Sequence, residues 1–388
     1  MVCSITTLIY LARFLNGWFR DDIDVKPTRK IVRLRRLSVK TVIDVEGFNL
    51  DLTFEPSFVS TLYRKISPNN WVKVAGHLGN QLEFKQLKSD TLEVSCSAGL
   101  TQKALQRRAI IEMGLWRGPC EERIGSLPKG VQPQIQALAE AYPGVRLPIV
   151  PLDFLYMLTS VVLSKRTGYS KFVLDWCQRI WSKYDGRIDL IAQAKNKVLQ
   201  SIGRSYQVLQ LQRALRSFNE LPSHPERLPS KVLELIGEPY VPAEEFLLWL
   251  TPELARMTLI RGCWGVGPKV ADSIVLSTFK ASHFIPCDTH LRTVAERLEL
   301  ADLEGAKMPS KVLCSKYVCD QKTSFQFNIP LCSWSANGTC LRSRLMYLLK
   351  TGGWVQTLAY LHGGRFCKAY SPKCKICPIK SVCPNPPK

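Results

Sequence analysis

The chain has 388 residues, 46% of them hydrophobic, so it can bury the cores of two or three domains and is not an intrinsically disordered protein. Lys and Arg total 53 against 32 Asp and Glu, and the formal charge of +21 makes nucleic acid the first partner to consider. A basic surface without a nucleic-acid role stays open at this point, because net charge names no reaction.

The N terminus gives no sign of a membrane span or a secretory signal. The uncharged stretch at 1–12 stops at Arg13 and is too short to cross a bilayer. It lacks a basic start and a small-residue cleavage site, so we expect an intracellular protein, in the cytoplasm and nucleoid or in a nucleus. Fourteen cysteines in a large intracellular chain favour metal or cluster binding over disulfides.

The hydrophobic pattern predicts an α+β protein with two domains after a basic N-terminal extension at 1–38. Short alternating runs between 39 and 97 predict an antiparallel β-rich domain, which we bound at 39–125; they are TVIDVEGFNLDLTF, WVKVAGH, QLEFKQL and TLEVSCS. After Gly99 the apolar spacing becomes helical, and the region 126–388 is expected to be a mostly α-helical domain.

A helical hairpin is predicted at 257–280. Its first helix is expected to end near Gly262, and Pro268 is in the favoured first position of the second helix. The turn between them, Gly265-Val266-Gly267, leaves free N–H groups that can bind a phosphate together with the helix dipole. A turn of this kind is also common where helices merely pack.

Lys269 and Asp288 are the candidate catalytic pair. A helix over 268–279 is roughly 18 Å long, and an extended segment 280–287 spans up to about 27 Å, so the chain can return Asp288 to Lys269. An amine beside a carboxylate in a partly dehydrated cleft suits covalent chemistry. The alternative is a phosphate-binding lysine and an aspartate that only caps a helix.

The sequence GVGPKVADSIVL followed by PCDTHLRTVAERL resembles the motif of endonuclease III and the 8-oxoguanine DNA glycosylases, of the helix-hairpin-helix superfamily. The resemblance extends more loosely over 150–300 and 345–383. It implies that Lys269 attacks C1′ of a flipped-out nucleotide, forms a Schiff base and permits β-elimination. It also implies that Asp288 supports ionisation and proton transfer.

The same resemblance suggests contacts to DNA. PLDFLYMLTSVVLSKRTGYSKF is similar to the helix and loop that fill the gap left by the extruded base, which makes Arg166 the candidate wedge with Lys165 nearby. A solvated basic loop is the alternative. His290 is a candidate phosphate contact, although a first-turn histidine is often structural. Ser273 stands where 8-oxoguanine enzymes commonly have a pocket cysteine, so oxidised guanine and oxidised pyrimidine both stay open.

Two groups of cysteines follow. The tail carries a six-two-five spacing that resembles the [4Fe-4S] loop of endonuclease III, whereas composition alone also allows zinc; its residues are Cys367, Cys374, Cys377 and Cys383, in the loop 367–383. A second group lies in an apparent insertion at 301–343 and matches no known spacing. We leave that group unassigned between a zinc site and ordinary buried cysteines; it comprises Cys314, Cys319, Cys332 and Cys340.

The sequence therefore predicts a bifunctional DNA glycosylase and abasic-site lyase that acts on oxidised bases in double-stranded DNA, as a monomer and without a membrane partner. Two alternatives stay open. One is a monofunctional glycosylase in which Asp288 activates water, and the other is a non-catalytic, structure-specific DNA-binding protein.

Overall fold

The computed structural model describes residues 38–184, 186–236 and 243–386. The predicted extension at 1–38 lies outside these ranges except for Ser38. A five-stranded antiparallel sheet follows, as the alternating pattern predicts, in the order β1-β5-β4-β3-β2. The strands are β1 (Val39–Asp44), β2 (Tyr63–Ser67), β3 (Asn70–Lys73), β4 (Leu82–Lys88) and β5 (Thr91–Cys96).

One part of the strand prediction is wrong. The segment NLDLTF forms a short helix, α1 (Leu50–Phe54), instead of continuing the alternating strand pattern. The Asn49 side chain accepts a hydrogen bond from the Leu52 N–H at 2.9 Å, and this cap stabilises the helical turn. Leu50 and Phe54, four residues apart, both face the core with no exposed surface, so helical spacing satisfies the same apolar residues.

The rest of the chain is helical. The helices up to the predicted hairpin are α2 (Gln102–Glu112), α3 (Gln132–Ala141), α4 (Phe154–Leu163), α5 (Leu174–Tyr184), α6 (Asn196–Gln200), α7 (Tyr206–Asn219), α8 (Ser230–Ile236) and α9 (Ala243–Trp249). The later ones are α10 (Pro252–Gly262), α11 (Pro268–Thr278), α12 (Thr289–Arg297), α13 (Lys311–Cys314), α14 (Gln321–Phe327), α15 (Ser333–Ala336), α16 (Leu341–Arg344) and α17 (Gly352–Arg365). None of these helices is long and apolar enough to span a lipid bilayer.

Two hydrophobic cores organise these elements. The first continues from the sheet into α4, α7, α10 and α11. The second joins α3, α12 and α17 with part of the C-terminal tail. The boundary that we expect between domains at 125 stays a prediction. In the segment between α11 and α12 the chain passes from the first core to the second, since Phe284 belongs to the first and Ile285 to the second.

A buried charged cluster connects the sheet to the helices. Lys73, at the end of β3, is fully buried, and its Nζ donates to Glu112 Oε1 and Oε2 at 3.0 and 2.9 Å and to Asp153 Oδ2 at 2.8 Å. The Tyr63 hydroxyl also donates to Glu112. Each of the charged groups therefore has a direct partner, as burial of ions requires.

Candidate active site

The turn between α10 and α11 leaves backbone amides open. Gly265 has a φ of +72°, a conformation that favours glycine. Gly267 begins α11 without any side-chain cap, and a Cβ added there would meet nothing within 4 Å. The first-turn amides of α11 therefore face free space beside a helix N terminus, where an anion is favoured.

Lys269 lies in this first turn of α11 and is half-buried. Its Nζ is 3.4 Å from Ser164 Oγ and 5.1 Å from the centroid of the Phe58 ring. Burial lowers the pKa of Lys269, while the Asp288 carboxylate opposes this effect and raises it. The amine is thus easier to deprotonate than an exposed lysine, and no direct ion pair ties it down.

Asp288 is the N-cap of α12. Its Oδ1 accepts from the Leu291 N–H at 2.8 Å, and its Oδ2 accepts from Gln356 Nε2 at 3.4 Å. Asp288 and Lys269 line one cavity of about 60 Å³. The two candidate catalytic residues, nineteen positions apart in the sequence, therefore share a pocket.

The walls of this pocket combine aromatic rings with an amide and a hydroxyl. Phe58 comes from a 3₁₀ turn (Phe58–Leu62) before the sheet's second strand, Tyr169 follows α4, and Gln356 and Tyr360 lie on α17. Burial raises the pKa of Tyr360 to about 12, so its hydroxyl stays protonated near neutrality. The sequence analysis missed these four residues, because they come from distant segments and form no local motif. Ser273, which it did single out, also lines the pocket.

Helix α17 packs very tightly against both α11 and α12. A Cβ at Gly353 would lie 2.6 Å from Leu276 Cδ1, and one at Gly363 would lie 2.7 Å from His290 Nδ1. The His290 ring also meets the Tyr360 ring edge-on at 5.3 Å. His290, the candidate phosphate contact, is therefore also part of the packing between α12 and α17.

The loop after α4 lies beside the glycine turn. Lys165 Nζ donates to the Gly265 carbonyl at 3.4 Å and is 5.6 Å from the centroid of the Trp264 ring. Arg166, the candidate wedge, is exposed and has a φ of +52°, which is uncommon for a residue with a side chain. The Val266 side chain is fully buried, so only its backbone is available to a ligand.

A basic cleft adjoins the same turn. Arg213 stacks on Trp264 with 4.4 Å between the guanidinium carbon and the ring centroid. The sequence analysis did not identify this cleft, whose cationic lining residues are Arg213, Arg216, Arg227, Arg261 and Lys311. Glu220 also lines the cleft and pairs with Arg227 at 3.7 Å, so the other four cations are the groups suited to contact a phosphate backbone.

The four tail cysteines line one small cavity, with Leu298, Phe366 and Ile379 as apolar neighbours. Arg297 Nη1 donates to Cys367 Sγ at 3.3 Å, and His362 Nε2 is 3.5 Å from Cys377 Sγ. In the described ranges, no three histidine, cysteine or acidic side chains are arranged as ligands of a single metal ion. Four thiols around one cavity are a donor set that suits either a metal ion or an iron–sulfur cluster.

The described fold is similar to known DNA-repair structures. The 8-oxoguanine glycosylase/lyase of Clostridium acetobutylicum, in complex with double-stranded DNA containing cytosine opposite to 8-oxoG, matches with a TM-score of 0.56 and 14% identity over 84% of this chain and 97% of that one. MBOgg1 in complex with a low-affinity DNA ligand matches with a TM-score of 0.55 and 14% identity over 84% and 95%. The 3-methyladenine DNA-glycosylase from Archaeoglobus fulgidus matches with a TM-score of 0.51 and 12% identity over 84% and 99%. No family model and no curated protein matches the sequence itself.

Proposed function

We propose that this chain, which has the fold of the helix-hairpin-helix DNA glycosylases, is a base-excision repair DNA glycosylase with abasic-site lyase activity. The observation that carries the proposal is the Lys269 amine, which burial makes easier to deprotonate and which opens into a pocket shared with Asp288. An amine without a direct ion pair is available as a nucleophile, whereas a surface lysine stays protonated and hydrated.

The DNA strand binds across the turn between α10 and α11. The open first-turn amides after Gly267 and the cationic cleft around Arg213 support phosphate binding. Arg166 on the neighbouring loop fills the place of the everted nucleotide. The base enters the pocket between Phe58, Tyr169 and Tyr360, where aromatic rings can stack on it.

The reaction begins when the neutral Lys269 amine attacks C1′ of the everted nucleotide. The C1′–N bond breaks, and the base leaves with the electron pair and takes up a proton. Asp288 stabilises the developing positive charge on the sugar and accepts the proton lost by the amine. Its Oδ1 accepts a short hydrogen bond from the Leu291 N–H at 2.8 Å, whereas Oδ2 accepts only a long one from Gln356 at 3.4 Å, so Oδ2 is the oxygen more available to exchange protons.

Opening of the sugar ring then converts the covalent adduct into a Schiff base between Lys269 and C1′. Loss of a C2′ proton and breakage of the C3′–O bond release the 3′ strand, which is the lyase step. Water finally hydrolyses the Schiff base and restores the amine.

The substrate is an oxidised base in double-stranded DNA. Gln356 offers both a donor and an acceptor to the edge of the base, and Ser273 adds a hydroxyl. The cavity of about 60 Å³ holds only a few water molecules, so side chains at its mouth move when a base enters.

The tail cysteines hold a [4Fe-4S] cluster. Their four thiols around one cavity would supply the ligands of such a cluster, and the Arg297 guanidinium that donates to Cys367 would supply a hydrogen bond to one ligand sulfur. The cluster would supply structural support to the tail, and the chemistry at Lys269 does not pass through it.

A lesion panel tests the activity. Purified protein is incubated with end-labelled duplexes carrying 8-oxoguanine, oxidised pyrimidines or an abasic site, and products are separated with and without alkali. We expect strand cleavage without alkali on at least one oxidised base. Cleavage that appears only after alkali would instead support a monofunctional glycosylase, and binding without any base release would support a non-catalytic DNA-binding protein.

A further inference from the structure

The insertion that carries the other four cysteines packs through α13 against α10. A parallel bridge pairs Val318 with Leu331, and the Cys332 N–H donates to the Val318 carbonyl at 2.8 Å. Cys319 and Cys332 each follow a residue of this bridge, which holds the two backbones side by side.

Cys340 is brought to the same place by a tight backbone loop. Its N–H donates to the Trp334 carbonyl at 3.1 Å, only two residues after Cys332. Cys314, at the end of α13, and Cys340 are each within electrostatic range of Cys319. Three of the four are at most 6% exposed, namely Cys314, Cys332 and Cys340, and Cys319 is intermediate in exposure.

A second, independent feature is an imbalance of buried charge at this place. Arg256 and Arg342 are 5% and 7% exposed, and both pair with the same oxygen of Asp272. Among the described residues, Arg256 Nη2, Arg342 Nε and also Asp272 Oδ2 have no hydrogen-bond partner. Two guanidinium groups thus share one carboxylate, and each of them also interacts electrostatically with Cys319. Two buried cations that share one carboxylate leave a net positive charge, which is costly to bury.

We propose that Cys314, Cys319, Cys332 and Cys340 form a structural zinc site. A zinc ion with four thiolates carries two negative charges and presents sulfur acceptors to the unpaired guanidinium N–H groups. The insertion needs such support, because α13, α15 and α16 have only four residues each and are too short to be stable alone.

Zinc binding requires a local rearrangement of the thiols. The described residues contain no three ligands already arranged around one point for a single ion. A cysteine side chain moves its sulfur by rotation about one bond, and the backbone pairing already brings the segments together. The ion therefore draws the sulfurs inward to bond lengths of about 2.3 Å.

The test is the metal content of the full-length protein purified from medium that contains zinc and iron. We expect about one zinc per chain besides the iron of the tail. A Cys319→Ser, Cys332→Ser double variant should lose the zinc and keep the iron, and Cys374→Ser should do the reverse. Cys177→Ser, a change at a fully buried thiol elsewhere, is the matched control and should keep both metals.

Three results would overturn the proposal: wild-type protein with less than about 0.1 zinc per chain, zinc retained by the double variant, or iron lost from the insertion variant. The last result would indicate a second iron–sulfur centre. If the double variant does not fold, X-ray absorption at the zinc edge of the wild-type protein decides, since nitrogen or oxygen ligands would contradict a four-thiolate site. The zinc site does not depend on the proposed activity.

Discussion

Lys73 in the sheet region and Lys269 in the pocket are both removed from bulk water beside carboxylates, yet their surroundings differ. Lys73 is fully buried and donates to two carboxylates at 2.8 to 3.0 Å. Lys269 is half-buried, donates a long hydrogen bond to Ser164, lies over the Phe58 ring, and faces a cavity. Burial alone therefore does not create a nucleophile: the amine must also lack a direct ion pair and have room for a substrate.

The largest effect is expected from Lys269→Gln. Because the variant lacks the amine, borohydride trapping to damaged duplex should fall at least about 10³-fold, while much of the DNA binding remains. The measurement is the yield of covalent adduct on a denaturing gel, with Lys165→Gln as a control lysine near the same turn. Trapping retained by Lys269→Gln would assign the nucleophile to another amine.

Asp288→Asn should slow strand cleavage by about 10²- to 10⁴-fold, because the variant removes the negative charge that stabilises the sugar cation. Asparagine caps helices as well as aspartate does, so the Leu291 N–H keeps its partner and the melting temperature should hardly change. Single-turnover cleavage and thermal melting are measured on the same preparation. A large loss of stability would show that Asp288 acts mainly as a cap.

Lys73→Gln should have the opposite effects to Lys269→Gln: we expect a loss of stability and little change in trapping. The change removes the cation of Asp153 and leaves Glu112 with the longer Arg108 pair at 3.6 Å, so we expect a loss of about 3–5 kcal/mol in the free energy of unfolding. Trapping per folded molecule should persist. Lys65→Gln, at an exposed ion pair with Asp51, is the matched control, with an expected loss of about 0–1 kcal/mol. Equal denaturant midpoints for the two variants would remove the proposed distinction.

The smallest effect concerns pH. Adduct formation should rise with pH up to the lowered pKa of Lys269 and then level off, since only the neutral amine attacks. Asp288 raises that pKa, so Asp288→Asn should shift the midpoint to lower pH even though the rate falls. Trapping rates between about pH 5 and pH 10 measure both midpoints. A midpoint that moves to higher pH in the variant would contradict this electrostatic coupling.

The sequence predicts the residues that lie close together along the chain and misses those that only the tertiary fold assembles. The alternating runs predict the strands, and the glycine turn with Lys269 and Asp288 forms a recognisable local motif. NLDLTF was misassigned because its apolar spacing fits a strand and a capped helical turn equally well. Lys73 contacts partners 39 and 80 residues away, and no local pattern encodes such pairs.

The pocket shows the same limit. Phe58 and Gln356, from opposite ends of the chain, line the same pocket as Lys269. Helix α17 has buried residues on most of its surface, so its sequence does not show which face lines the pocket. Cys314 and Cys319 likewise interact with Arg256 only because tertiary contacts bring the insertion against α10.

Two of the four glycines of α17, Gly353 and Gly363, limit how the walls of the pocket can move. With no clearance at Gly353 against Leu276 of α11, or at Gly363 against His290 of α12, α17 cannot slide along either helix. Gln356 and Tyr360 on α17 are therefore held in a fixed position relative to Asp288. Phe58, on the other side of the pocket, lies on a single 3₁₀ turn and is less constrained. If the proposed function holds, the extra room for a bulky lesion would come from this turn, and the segment that leads into the sheet would set the size limit of the substrate.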